Sequence, residues 1–412
     1  MPDKRDVVLV TVDSFRSDRC GFLGSDAGLT PAMDRLAEDG LVFENAVAPA
    51  GATSGSSSTF FTGRYPIERS TAADRKEVMR QNLKAGRTLP QQFKDMGYKT
   101  AGFTANPWTS RFFGYDAGFD HFQDFMDDDL TSGTIEKGSD RGGAVSDLAS
   151  QVVNWWQGQD MYMSWDAYYD QITSWLDEAR EDDEPFFLWI FLVDVHMPYL
   201  PPKGYRSQSS AAAYAANAWL FGGAKQNTPV SGWLHDRLLR AYDDTIRFTD
   251  EFVDRMARAI DDDTALCVHA DHGESFGERD GHYGHGLLYE DTVRVPLFVA
   301  NHPQERVERP FSLSGLPDLL TRIGAGETID DSIGHPVVTS RNNDGWRVAH
   351  GGSWRYTRRP EGESVEDADG NPLDDEELYD IGRSVTDHEL EYEDERRRII
   401  DAAVEVTADG SI

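Results

Sequence analysis

Five short apolar runs constrain this chain more than any other feature: VVLVTV (7–12), KTAGFTA (99–105), FFLWIFLV (186–193), ALCVHA (265–270) and VPLFVA (295–300). They are rich in β-branched and aromatic residues and lack polar alternation, as strands buried on both faces do. Helical patterns fill the stretches between them. Thr30 offers a cap ahead of Pro31 in TPAMDRLAEDG, TLPQQFKDMG repeats the design, and HDRLLRAYDDTIRFTDEFVDRMARAI is long and amphipathic. Strands alternating with helices predict an α/β fold with a mainly parallel central sheet flanked by helices.

Ligands in such sheets bind outside the carboxyl ends of the strands. Three runs finish on side chains suited to that edge: Asp13, then Asp194 with His196, then Asp271 with His272, and KTAGFTAN adds Asn106. Asp271-His272-Gly273-Glu274 supplies a carboxylate and an imidazole, and Asp13 a second carboxylate. Together they suit one divalent ion; the imidazole favours Mn²⁺ or Zn²⁺ over Ca²⁺, with Mg²⁺ and Ca²⁺ still compatible. Taken singly, Asp13 could cap the turn before SFRSD, and His272 could be a satisfied turn histidine.

The run GATSGSSSTFFTGRYP (51–66) has the composition of a flexible linker. A metal nearby gives it another purpose. A serine or threonine hydroxyl is a weak nucleophile near neutral pH, and a cation stabilises its alkoxide for attack on phosphorus or sulfur.

Composition narrows the partners. Asp and Glu outnumber Lys and Arg by 73 to 40, a formal charge of -33 spread along the chain, which repels nucleic acid and anionic membranes. The basic residues are mostly Arg, and an acid excess this even fits a salt-adapted cytoplasm. Cys20 and Cys267 lack metal or disulfide spacing and read as buried apolar residues. MPDKRDVVLVTVD enters a strand directly and no apolar run has membrane-spanning length, so a cytoplasmic protein without a membrane span is expected.

With 412 residues, 39% of them hydrophobic, the chain divides into a main α/β domain (1–310) and a small C-terminal α+β subdomain (311–412). VVTSRNNDGWRVAHGGSWRYTRRPEG predicts antiparallel strands joined by Asn/Gly turns, followed by an acidic turn and a terminal helix, DERRRIIDAAVEV. Residues 125–184, containing NWWQGQDMYMSW, read as a helical insertion or lid whose aromatics pack on the main domain.

The segments VVLVTVDSFRSDRCGFLG, TSGSSSTFFTGRYP, FTANPWTSRFFGYDAGFDHF, FFLWIFLVDVHMPYLPP, LLRAYDDTIRFTDEFVDRM and VHADHGESFGERDGHYGHGLLYEDTVRVPLFV, in this order, resemble the sulfatase family of the alkaline phosphatase superfamily, and WRYTRRPEG with EELYDI extends the likeness into the tail. The resemblance implies an alkaline-phosphatase-like fold and a metal held by Asp13, Asp271 and His272. It places the nucleophile at Thr53, opening a C/S/T-x-P-S-R-like motif that ends at Thr62-Gly63, at a helix N-terminus suited to an anion. His196 in DVHMPY and His285 in GHG match histidines that contact the transferred group or leaving oxygen, one of them the candidate general acid, with Asn106 as a further substrate contact. His282 reads as a solvated loop histidine.

The departures are informative. Thr53 cannot be oxidised to formylglycine as the Cys or Ser of sulfatases is, which points to members using a direct hydroxyl nucleophile, many acting on phosphoesters. Gly55 and Ser57 replace the motif's Pro and Arg, and Ser54 or Ser56 could serve if the register slips. Ser14 stands where calcium-type sulfatases carry a second aspartate, leaving Asp13, Thr53, Asp271 and His272 as ligands. DVH lacks the D-x-x-x-H spacing of two-metal members, so one ion is expected. The implied activity is hydrolysis of a small anionic sulfate or phosphate ester, or of a sulfated or phosphorylated glycan. A phosphoryl or phosphoglycerol-type transferase, or a non-catalytic binder of anionic glycans, are the alternatives.

Overall fold

The computed structural model describes residues 4–65, 75–125, 163–181, 184–222, 232–279, 281–368 and 370–388. Eight strands form the main sheet: β1 (Val7–Val12), β2 (Leu41–Phe43), β3 (Lys99–Thr104), β4 (His121–Gln123), β5 (Phe186–Leu192), β6 (Ala265–Ala270), β7 (Leu297–Ala300) and β8 (Glu305–Val307), in the order β8-β2-β7-β6-β1-β5-β3-β4. Every residue of β1, β5 and β6 is buried, as their unbroken apolar runs require. Each large side chain there contributes about 1.5–3 kcal/mol of burial.

The parallel neighbours of β1 set the height of the functional edge. Val12 stands opposite Leu192 on one side and Ala270 on the other. The Asp13 and Asp271 N–H groups extend these ladders, donating to Leu192 O (2.9 Å) and Val12 O (3.3 Å). The sheet is mixed, because β7 runs antiparallel to both β6 and β2. An antiparallel neighbour begins where its partner ends, so residues 271–296 need no crossover and return to the sheet at the edge they left.

Polar groups within the sheet are satisfied. Thr11 Oγ1 meets His269 Nε2 at 2.8 Å and accepts from Trp189 Nε1 at 3.0 Å, while His269 Nδ1 contacts Ala270 O. Burial pushes His269 down to about 3 and leaves it a neutral core residue.

The flanking helices are α1 (Pro31–Glu38), α2 (Thr53–Thr62), α3 (Arg75–Ala85), α4 (Leu89–Asp95), α5 (Tyr169–Ala179), α6 (Ser210–Gly222), α7 (Gly232–Ala259), α8 (Glu290–Val293) and α9 (Leu316–Gly324). The cap expected from Thr30 comes from elsewhere. Its hydroxyl donates to Asp34, and Asp250 of α7 accepts from the Ala32 and Met33 N–H groups of α1. Among the described residues no helix is long and apolar enough to cross a membrane.

Most of the expected insertion, 126–162 and 182–183, lies outside the described residues, as does DERRRIIDAAVEV. Trp165, the described end of the aromatic run, stacks on Phe248 with 4.7 Å between ring centroids and donates to its carbonyl; Ile172 and Leu176 of α5 are buried. The C-terminal region holds an antiparallel sheet of β9 (Val338–Arg341), β10 (Arg347–His350), β11 (Trp354–Arg359) and β12 (Gly362–Asp367) in sequential order. Trp346 and Val348 there pack with Leu288, Tyr289 and Val293, backing the loop that returns from the functional edge.

Candidate active site

Asp13 and Asp271 follow adjacent parallel strands, and this brings their carboxylates together with His272. Ligand atoms of the three lie within 4.8 Å of one another, and all three residues are buried. His272 Nε2 is 3.5 Å from Asp13 Oδ1 and 3.6 Å from Asp271 Oδ2. His272 Nδ1 lies 2.8 Å from Gly273 O, an acceptor, so the proton sits on Nδ1 and the Nε2 lone pair faces the carboxylates.

The surroundings fix both carboxylates. Asn106 Nδ2 donates to Asp13 Oδ2 at 2.7 Å and the Ser14 hydroxyl to Asp13 Oδ1 at 3.1 Å. Asp271 Oδ1 accepts from the His272 and Ser14 N–H groups, whereas its buried Oδ2 has no hydrogen-bond partner. Burial, then the neighbouring Asp271, raises Asp13 above its ordinary range, and burial lifts Asp271 to about 7. Burial, then the charge of His285, lowers His272 to about 4. Two buried carboxylates beside a neutral imidazole, with one oxygen unpartnered, form a donor set deficient in positive charge, and a divalent cation fits it.

The Ser/Thr run is a helix rather than a linker. Ser57 Oγ donates to Thr53 O (2.5 Å), Ser58 Oγ to Ser54 O (2.9 Å), Thr59 Oγ1 to Gly55 O (2.7 Å) and Thr62 Oγ1 to Ser58 O (2.8 Å), each reaching one turn back. Ser57, in the place of the motif's arginine, also meets Tyr115 OH at 2.6 Å. Ser56, one alternative nucleophile, donates instead to the Asp271 carbonyl at 2.6 Å. Thr53 opens α2, and its Oγ1 lies 3.2 Å from His272 Nε2. Ala52 ahead of it has no side chain to cap the helix, whose N-terminal dipole favours an anion here.

His196 and His285 border the same cluster, their ring centroids 5.2 Å apart, with His285 4.7 Å from His272. His196 Nδ1 lies 2.7 Å from Met197 O. His285 is 27% exposed and its Nδ1 stands 3.5 Å from Oε1 of the fully buried Glu274. Burial opposes charge on His285, yet Glu274, Asp13 and Asp271 together raise it to about 9. Burial likewise opposes charge on Glu274, and His285 outweighs it to hold the carboxyl below its ordinary range. The two therefore form an imidazolium–carboxylate pair at neutral pH.

Other expectations need correction. Asp194 stands outside the Asp13–Asp271–His272 cluster: its Oδ1 accepts from Ser164 Oγ (2.9 Å) and Trp165 N–H (3.3 Å), anchoring the described end of the insertion. Strand β5 stops at Leu192, so Asp194 lies beyond the edge that aligns Asp13 with Asp271. Asn106 borders the cluster, with one Nδ2 hydrogen bond to Asp13 and its Oδ1 accepting from the Trp108 N–H. His282 is half-buried beside Tyr289 rather than solvated. Glu274 was visible in the DHGE string, but no spacing rule linked it to His285.

The chain is 21% identical over 314 residues to an ulvan-active sulfatase of Formosa agariphila, covering 72% of this chain and 56% of that relative. It is 22% identical over 338 residues to the iduronate 2-sulfatase of Homo sapiens, covering 72% and 59%. The chain thus spans less than three-fifths of the length of either curated relative. The lipoteichoic acid synthase LtaP of Listeria monocytogenes shares the fold, with a TM-score of 0.64 at 15% identity over 95% of this chain and 93% of that one. The sulfatase family model matches residues 5–318, and the chain belongs to the sulfatase family.

Proposed function

We propose that this chain is a metal-dependent hydrolase of sulfate or phosphate esters with the Thr53 hydroxyl as nucleophile. The observation that carries the reading is Thr53 Oγ1, 3.2 Å from His272 Nε2 at the rim of the Asp13–Asp271–His272 cluster. Asp13, Asp271, His272 and Thr53 would hold the ion, with Mn²⁺ favoured by the mixed carboxylate and imidazole donors. When bound, it supplies positive charge that lowers the pKa of the hydroxyl and offsets the substrate's negative charge.

The protein's own groups do the rest. Thr53 Oγ releases its proton to solvent and attacks sulfur or phosphorus, and the bond to the leaving oxygen breaks, leaving a Thr53 ester. The N-terminus of α2 favours the anionic group during this step. His285, kept protonated by Glu274, gives its proton to the leaving oxygen, with His196 beside it as a second contact. Water then attacks the same atom, giving a proton to the now neutral His285, and the bond to Thr53 Oγ breaks as that oxygen regains a proton from solvent. The relatives named as sulfatases support a sulfate ester, such as a sulfated glycan. The threonine at position 53 supports phosphoester chemistry, and a transferase would run through the same adduct with an alcohol in place of water. The even acid excess supports a salt-adapted setting.

The test is turnover of paired aryl sulfate, aryl phosphate monoester and aryl phosphodiester in high salt with Mn²⁺, comparing wild type, Thr53→Ala and Ser56→Ala. Loss of about 10³-fold or more in kcat is expected for Thr53→Ala on one ester class, with Ser56→Ala retaining most activity. Wild type that turns over none of the three would move a non-catalytic binder ahead of the hydrolase.

A further inference from the structure

Ser14, directly after Asp13, is fully buried and has φ of +60°, a left-handed conformation that non-glycine residues rarely adopt. The turn is put to use. Ser14 N–H donates to Asp271 Oδ1 at 3.3 Å and its hydroxyl to Asp13 Oδ1 at 3.1 Å, so one residue touches both carboxylates of the cluster. What holds it there comes from α7: the Tyr242 hydroxyl donates to Ser14 O at 2.7 Å and accepts from Arg16 N–H at 3.0 Å. That single oxygen closes the backbone from 14 to 16 into a fixed turn.

The clamp is braced on both sides. The Tyr242 ring is fully buried against Tyr199 (5.3 Å between centroids) and Phe276 (4.8 Å). Arg16 continues from the turn to Asp18, Glu278 and the carbonyl of Glu274, joining it to the loop that carries His272. We infer that Tyr242 is a positioning residue: its hydroxyl holds Ser14 left-handed, and through Ser14 it aims the Asp13 and Asp271 carboxylates at the cation site. The inference rests on the metal site proposed above, and Tyr242 itself touches neither the ligand atoms nor substrate.

The test is a double-mutant cycle of Tyr242→Phe and Ser14→Gly, read by calorimetric titration with Mn²⁺ alone and by hydrogen exchange of the 13–17 amides in metal-free protein. The packed ring lets Tyr242→Phe keep the fold, which thermal unfolding verifies. Tyr242→Phe should weaken Mn²⁺ binding by about tenfold, the factor a left-handed residue commonly carries. Glycine takes positive φ freely, so in the Ser14→Gly background the same change should cost about threefold or less. Equal losses in both backgrounds, or none in either, overturn the inference. Exchange at 13–17 should quicken in Tyr242→Phe without metal, and unchanged protection overturns it too. Wild type that binds no Mn²⁺ would refute the metal site instead, with exchange alone then deciding the clamp.

Discussion

Replacing Asp271 by Asn should stabilise the metal-free protein while removing its capacity to bind metal. Asp271 is fully buried, and burial raises its carboxyl from 3.8 to about 7. An acid whose folded pKa exceeds its unfolded value contributes stability that is complete below pH 3.8 and is lost as pH rises through about 7. At about 1.4 kcal/mol per pH unit, that climb amounts to about 4 kcal/mol of destabilisation above neutrality, and local relaxation brings the expectation to about 2–4 kcal/mol. Asparagine keeps the shape and keeps Oδ1 as the acceptor for the His272 and Ser14 N–H groups. Its amide nitrogen replaces the unpartnered Oδ2, close to His272 Nε2, and Asp13 loses a charged neighbour that raises its own pKa. In EDTA at pH 8, Asp271→Asn should therefore unfold about 2–5 °C above wild type, and the gap should shrink toward pH 5. Saturating Mn²⁺ should narrow or reverse it, since ligand at 100 times its Kd adds about 2.7 kcal/mol to wild type alone. A metal-free variant less stable than wild type at pH 8, or a gap that is flat between pH 5 and pH 8, would refute the reasoning.

Gly273 donates its N–H to Thr292 O at 2.8 Å, and a Cβ added there would run into the backbone carbonyl of Asp291. Gly273→Ala should cost about 1–3 kcal/mol in denaturant unfolding and weaken Mn²⁺ binding by displacing His272; wild-type stability would contradict this contact. The charge of -33 predicts that raising KCl from about 0.1 M to about 2 M, which shortens the screening length from about 10 Å to a few Å, raises Tm by several degrees. A Tm that falls with KCl would remove the self-repulsion argument.

Much of the fold was legible because β1, β5 and β6 are buried on both faces and carry unbroken apolar runs. The Asp13–Asp271–His272 cluster was legible for a related reason: Asp13 and Asp271 end neighbouring parallel strands in register, so sequence position translates directly into spatial height. The same rule misread Asp194, because β5 stops two residues short of it and the chain has turned away. It says nothing of the direction of β7, whose apolar run looks alike whichever way it pairs. Glu274 and Tyr242 act across chain separations that no local pattern records. Tyr242 reads as one more apolar position on the amphipathic face of α7, and only its contact with Ser14, 228 residues away, sets it apart.

The Ser/Thr run shows where composition misleads and position decides. Serine and threonine disfavour helix interiors partly because their hydroxyls compete for backbone groups. In α2 that competition is met within the helix, since Ser57, Ser58, Thr59 and Thr62 each donate to the carbonyl one turn behind. Thr53 and Ser54, in the first turn, have no helical carbonyl four residues back. Of these two, Thr53 faces the cluster and meets His272. A chain of buried hydroxyls thus presents one of them to the carboxylates, and the helix start, rather than the side-chain chemistry it shares with its neighbours, singles Thr53 out.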